Sequence, residues 1–203
     1  MLKLIPVLLL LTITAPVWSE ESESTEQLKA RIAELEQRLN AIEEAVAPVL
    51  NKIKLEKIVA EQQQLARNRM QQDREIYTIE QLREIESLYQ VANRNWRTEQ
   101  AQQSLEALVE KYKKANRTGC AILYLGQLTS GEEQKKHLQQ AIDDFSDCFY
   151  GNGVQVGAYA RLLLAAHLEQ AGDSEAAEKL RAELEKMYPD AIDHQGNFLN
   201  DAF

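Results

Sequence analysis

The side chains able to do chemistry in this chain are few and widely spaced. It has three histidines, His137, His167 and His194, and two cysteines, Cys120 and Cys148. No two of the histidines, and no histidine with a cysteine, stand at a metal-ligand spacing. Asp190, Asp193 and His194 are close enough in sequence to touch a cation. They follow Pro189 in a polar stretch, however, and their spacing fits no known ligand set, so they read as a loop. The chain has neither a Gly-rich phosphate loop nor a nucleophile elbow. Its many carboxylates lie in predicted helices, where they read as a solvated face. No catalytic residue, metal site or cofactor site is therefore expected, and the chemistry to look for is binding.

Composition points the same way. The 203 residues include only 8 Gly and 4 Pro, and aromatic residues make up 6%. Strong helix formers dominate, so elongated helices are expected rather than one large globule. The net charge is −9, and without a basic stripe this argues against a nucleic-acid or anionic-lipid partner. Residues 1–19 have the pattern of an export signal. Lys3 is followed by an apolar run from Leu4 to Thr14, with Val17 and Ser19 at −3 and −1 of a cleavage site before Glu20. The run is too short to span a bilayer stably, so no membrane span is expected after cleavage. The expected destination is the periplasm or the cell exterior.

In an oxidising compartment, two cysteines invite a disulfide. Cys120 falls near the start of one predicted helix and Cys148 at the end of the next, which are neighbouring ends in an antiparallel hairpin. The alternative is two buried thiols packed as small hydrophobes.

Residues 20–77 are expected to form a helical oligomerisation segment. Ser24 with Gln27 reads as a capping box. Apolar residues then follow at Leu28, Ile32, Leu35, Leu39, Ile42, Val46, Val49 and Ile53, spaced alternately by 4 and 3. That period keeps one seam facing a partner helix, as in a coiled coil. Arg31 and Arg38 at g positions would meet Glu36 and Glu43 at e positions of a parallel neighbour. The β-branched Ile42 and Val49 at d disfavour a dimer and favour a trimer. An amphipathic helix packed on its own chain would show the same stripe. Pro48 should kink or end the helix, or mark a turn between two antiparallel helices. Residues 55–75 read as a weaker, more polar helical stretch.

From Thr78 the pattern changes to short amphipathic helices, at about 79–94, 98–114, 118–129, 132–148, 154–171 and 174–187. Thr78 with Gln81 and Ser130 with Glu133 read as capping boxes. The fold class is all-α: an N-terminal coiled coil, then about three antiparallel hairpins over residues 78–189, then a tail over 190–203. Phe198, Leu199 and Phe203 in that tail are expected to fold back over the last hairpin.

The hairpins resemble the tetratricopeptide repeat. The last one matches best, with Leu164 and Ala165 in its first helix, Gly172 at the turn, Ala177 in its second helix and Pro189 at its close. The middle one offers Leu125, Gly126, Ala141 and Phe145. In the first, Leu88 fits, but Tyr89 occupies the small position and Trp96 sits at the turn. The order of export signal, coil and repeats resembles the periplasmic cell-division coordinators of the Tol-Pal system. It departs from them in lacking a long Pro/Ser/Gln linker. The resemblance implies an α-solenoid that binds a protein or peptide partner in the envelope. The groove residues it implies are Arg83, Glu86, Gln90 and Asn93 from the first hairpin, Leu123 and Gln127 from the second, and Tyr159, Leu162 and Ala166 from the third. That register also turns Cys120 toward the groove, in tension with a bond to Cys148. A periplasmic chaperone for unfolded clients is the alternative function, and an ordinary helical bundle the alternative fold.

Overall fold

The computed structural model describes residues 24–202, so the export signal and Phe203 lie outside the described residues. The described chain is helical. The long helix α1 spans Thr25–Ile76, followed by α2 (Ile79–Arg94), α3 (Glu99–Lys111), α4 (Asn116–Leu128), α5 (Gly131–Asp144), α6 (Val156–Gln170) and α7 (Ser174–Met187), with a 3₁₀ turn at Leu199–Ala202. None of the described helices is long and apolar enough to cross a membrane. The described residues divide into two compact units, the first ending at Pro48 and the second beginning at Val49.

Local chemistry accounts for most helix starts. Ser24 and Gln27 bond reciprocally, Gln27 Oε1 accepting from Ser24 N at 2.8 Å and Ser24 Oγ accepting from Gln27 N at 3.2 Å. Thr78 and Gln81 form the same box. Thr98 and Asp173 each accept from a backbone N–H in the first turn of α3 and α7. The Ser130–Glu133 box does not form. Gly131 takes a left-handed φ of 61° there, and the Ser130 side chain makes no cap bond.

Pro48 neither ends nor turns α1, which runs on through it. The missing donor costs about 3 kcal/mol in a helix interior, but here the freed carbonyl is on an exposed surface where water can satisfy it. Every seam residue from Leu28 to Ile53 is exposed, between 40% for Val46 and 59% for Ile42. The seam is therefore not packed as an intramolecular face.

Within the second unit, the polar stretch after residue 55 behaves quite differently. Ile58, Gln62, Ala66 and Asp73 are buried, and they fall on one side of α1. Asp73 accepts from the backbone N–H of Asn116, at 2.9 Å to Oδ2, and from Arg69 Nη1 at 2.9 Å. It thus supplies from α1 the cap that α4 lacks locally, since Ala115 at the cap position has no oxygen to offer. Asn116 continues the network, donating from Nδ2 to the Phe149 carbonyl at 2.7 Å and accepting from Phe149 N at 2.8 Å. Residues 55–76, expected to belong with the coil, instead pack by this one side on the segments before α4 and α6, Arg69 bonding Asp147 and the Lys114 carbonyl.

In the helical array each helix from α2 onward packs against the next, and α4 also touches α2 and α6. This central position explains why every residue from Thr118 to Gly126 is buried. Gly119 lets α4 approach the segment before α6 closely, because a Cβ there would lie 2.6 Å from Cys148 Cβ. The tail closes the array as expected. Ile192 bridges to Phe198, Leu199 N donates to the Ala191 carbonyl at 2.9 Å, and Ala191 and Leu199 pack with Ala158 and Leu184.

The expected disulfide is absent. Cys120 and Cys148 are both free and buried. Cys120 Sγ lies 3.3 Å from the Phe149 carbonyl, whereas Cys148 Sγ faces Arg69 Nη2 at 3.7 Å and Asp147 Oδ1 at 3.8 Å. The backbone between them is fixed by the Asn116–Phe149 bonds, which hold each thiol to its own partner. Burial pushes the Cys120 thiol up to about 12 and raises Cys148 as well, so both pack as apolar groups.

The network around Asp73 yields a test. Asp73→Ala leaves Arg69 and the α4 N-terminus short of a buried acceptor, and it should cost about 3 kcal/mol in urea unfolding. A loss under about 1 kcal/mol would show that water replaces the carboxylate.

Candidate peptide-binding cleft

One cleft of about 430 Å³ collects the chain's most distinctive side chains. Helix α2 contributes Tyr89, Gln90 and Asn93, and α4 contributes Arg117, Tyr124 and Gln127. The α2–α3 turn supplies Trp96, the segment before α6 supplies Tyr150 and Asn152, and the tail supplies His194. Four aromatic rings and four carboxamides thus share one concavity.

Its walls are fixed by contacts made behind them. Arg117 Nε meets Glu86 Oε2 at 2.9 Å, and its guanidinium lies 4.2 Å from the Tyr89 ring centroid. Gln90 Nε2 donates to the same Glu86 at 2.6 Å. The Tyr150 hydroxyl donates to the Cys120 carbonyl at 3.1 Å. Burial raises the Tyr89 and Tyr150 hydroxyls above the ordinary tyrosine range, so both stay protonated donors.

Trp96 is the exception to this burial. It remains 39% exposed while its ring meets Tyr124 edge-on at 4.4 Å. Arg97 beside it adopts a left-handed φ of 64°, the one positive φ at a non-glycine among the described residues. Such a conformation is costly for a residue with a Cβ, and here it sets the turn that places Trp96 at the rim.

His194 closes the opposite rim. Its ring lies edge-on to Tyr150 at 4.9 Å and to Tyr159 at 5.3 Å, and Nδ1 is 3.2 Å from Asn152 Nδ2. Desolvation lowers its basicity, partly opposed by Asp193. Gly153, at φ 98°, permits the turn that carries Asn152, and its Cα packs so closely on α1 that a Cβ would lie 3.0 Å from Gln62 Cβ.

Of the residues expected in a groove, Gln90, Asn93 and Gln127 meet in this cleft. Arg83 and Glu86 line an adjoining depression that also includes Gln90. The third-hairpin residues do not join them. Leu162 packs under the tail, Tyr159 is half-buried between the two core clusters, and exposed Ala166 lies outside the cleft. Leu123 is fully buried, because α4 is enclosed by its neighbours on that side. The apolar members of the expected groove therefore serve as packing. Tyr89, Trp96, Arg117, Tyr124, Tyr150, Asn152 and His194 were not among the expected site residues. For Tyr89 and Trp96 a signal did exist, since they are the two positions where the first hairpin departs from the repeat pattern.

Among the described residues, no group of three His, Cys, Asp or Glu is placed to hold a metal ion. No family model matches the chain, and no curated protein and no solved structure matches it.

The histidines give this region a pH dependence. Burial lowers His194, and also His137, whose Nδ1 has no partner. Unfolded histidine titrates near pH 6.5, at about its model-peptide value, so on acidification the unfolded chain takes up these protons first. Their contribution is fully present above that pH and is lost as pH falls below it. Urea midpoints should drop between about pH 7 and pH 5.5, and His137→Gln with His194→Gln should flatten that drop. An equal drop in the double variant would contradict this assignment.

Proposed function

We propose that this protein is an exported binding scaffold of tetratricopeptide-like architecture, working in the cell envelope as a homo-oligomer. The observation that carries this reading is the convergence of Gln90, Asn93 and Gln127, from two successive first helices, on one cleft rimmed by exposed Trp96. Carboxamides offer both a donor and an acceptor, which matches the alternating N–H and C=O groups of an extended peptide. An exposed tryptophan beside them offers an anchor for an apolar side chain. The amides set backbone register, and Trp96 sets where the anchor falls.

The coil supports the same reading. Eight apolar residues in a strict heptad seam remain exposed along α1, and a parallel neighbour would bury them with Arg31 opposite Glu36 and Arg38 opposite Glu43. The favoured number of chains is three, from the β-branched Ile42 and Val49 at d. Joining several clefts on one coil raises avidity for a repeated or clustered partner without any new contact. The leader-like pattern of residues 1–19 supports an activity outside the cytoplasm, and the sequence resemblance supports a role in organising the envelope during division.

The test uses the chain beginning at Glu20 as bait in envelope extracts, alongside two variants. Gln90→Glu with Gln127→Glu places charge in the cleft and should lower capture of the wild-type partner by about tenfold, or ~1.4 kcal/mol, at unchanged melting temperature. Leu35→Asp with Ile42→Asp should turn a multimer into a monomer by light scattering, and it should weaken capture only through lost avidity. Undiminished capture by the cleft variant would place binding elsewhere on the chain. A wild-type chain that is monomeric at tens of micromolar would remove the oligomer from the account.

A further inference from the structure

The cleft is one part of a longer track. Gln90 also lines a depression of about 390 Å³ with Arg83, Glu86 and Arg94, and Gln127 also lines one of about 510 Å³ with Arg97 and Glu99. The two glutamines therefore join three depressions in series. Four guanidiniums border the series, those of Arg83, Arg94, Arg97 and Arg117, against the two carboxylates of Glu86 and Glu99. This is a local excess of positive charge on a chain whose net charge is −9.

The arginines are also available. Glu86 is committed to Arg117. Among the described residues, neither Arg83 nor Arg94 pairs with a carboxylate, and the guanidinium of Arg97 lies over Trp96 at 5.5 Å from the ring centroid. At physiological ionic strength charge is screened beyond about 8 Å, so a ligand in the track meets these guanidiniums rather than the acidic remainder of the surface. Geometry adds a length scale. Arg83 and Arg94 stand on the same helix α2, three turns apart, or about 16 Å at the helical rise. An extended peptide covers that distance in about five residues.

We propose that this arginine-bordered track binds an extended acidic peptide, its carboxylates meeting Arg83, Arg94 and Arg97 and an apolar side chain seated on Trp96. The inference rests on the reading of the cleft as a peptide site and adds the class of peptide. Guanidinium forks match carboxylates in two-point geometry. The amides between them hold the backbone, so side-chain charge decides which peptides are kept.

A displayed library of random peptides of about twelve residues, long enough to span the track in extended form, is selected on the chain beginning at Glu20. The same selection is run on Arg83→Glu/Arg94→Glu/Arg97→Glu, on Trp96→Ala and on Gln90→Glu/Gln127→Glu, each first shown to melt as the wild type does. The wild type is expected to enrich peptides with two or more Asp or Glu about five residues apart. A recovered peptide should bind the arginine variant about tenfold more weakly and should weaken with added salt. Enrichment of neutral or basic peptides, no enrichment, or binding indifferent to the arginine changes would overturn the proposal. Neutral peptides lost in the Trp96 and glutamine variants but kept by the arginine variant would overturn the acidic class while leaving the cleft as a peptide site. Enriched peptides that bind all variants equally would defeat both readings. A phosphoserine analogue that outcompetes its glutamate parent by tenfold would overturn the carboxylate assignment in favour of phosphate.

Discussion

A buried carboxylate, that of Asp73, ties the polar half of α1 to the start of α4. Asp73 sits at the bare N-terminus of α4, where the preceding residue is an alanine that cannot cap, and accepts from Asn116 N while Arg69 holds its other side. Asn116 passes the connection to Phe149 through a reciprocal pair of side-chain to backbone bonds. The contact is strong because it is buried and fully partnered. The first N–H at the positive end of α4 and a guanidinium meet the same two oxygens.

Much else follows from where that network lies. It fixes the segment from Cys148 to Gly153, and that segment carries Tyr150 and Asn152 into the cleft. Asn152 in turn meets His194, so the folded-back tail becomes a wall of the site. On the other side, α4 presents Gln127 and Arg117, the latter held by Glu86 and the Tyr89 ring. The cleft is thus assembled from α4 and four other parts of the chain, and Gly119 lets that helix approach the Cys148 segment closely.

The helices were legible because their signals are local. Amphipathic stripes and caps such as Thr78 with Gln81 need only neighbours in sequence, and the α2 and α7 bounds fall where those signals place them. The return of the tail was legible at Leu199, an apolar residue that packs with Ala158 and Leu184. What was hidden depends on distant partners. The burial of Ile58, Gln62, Ala66 and Asp73 goes with the bonds of Asp73 and Arg69, which in sequence look like any solvated pair on a polar helix. The thiols face different groups beside the bonds made by Asn116, a residue that falls between two predicted helices. Of the nine groove residues that the repeat resemblance implies, Gln90, Asn93 and Gln127 share the cleft, whereas Leu123 and Leu162 are packed, because a helix register does not say which neighbours close over a face. Tyr89 and Trp96 stood out as breaks in a pattern before they stood out as a surface.

The central claim is that the second half of α1 is an integral part of the array rather than a stalk leading to it. Native-state amide hydrogen exchange measures this directly. The amides of Asn116 and Phe149 should exchange only with global unfolding, and those of residues 58–73 should share the same opening free energy and the same dependence on denaturant. Exchange of residues 58–73 through a separate, lower-energy opening, with Asn116 and Phe149 still protected, would contradict the account.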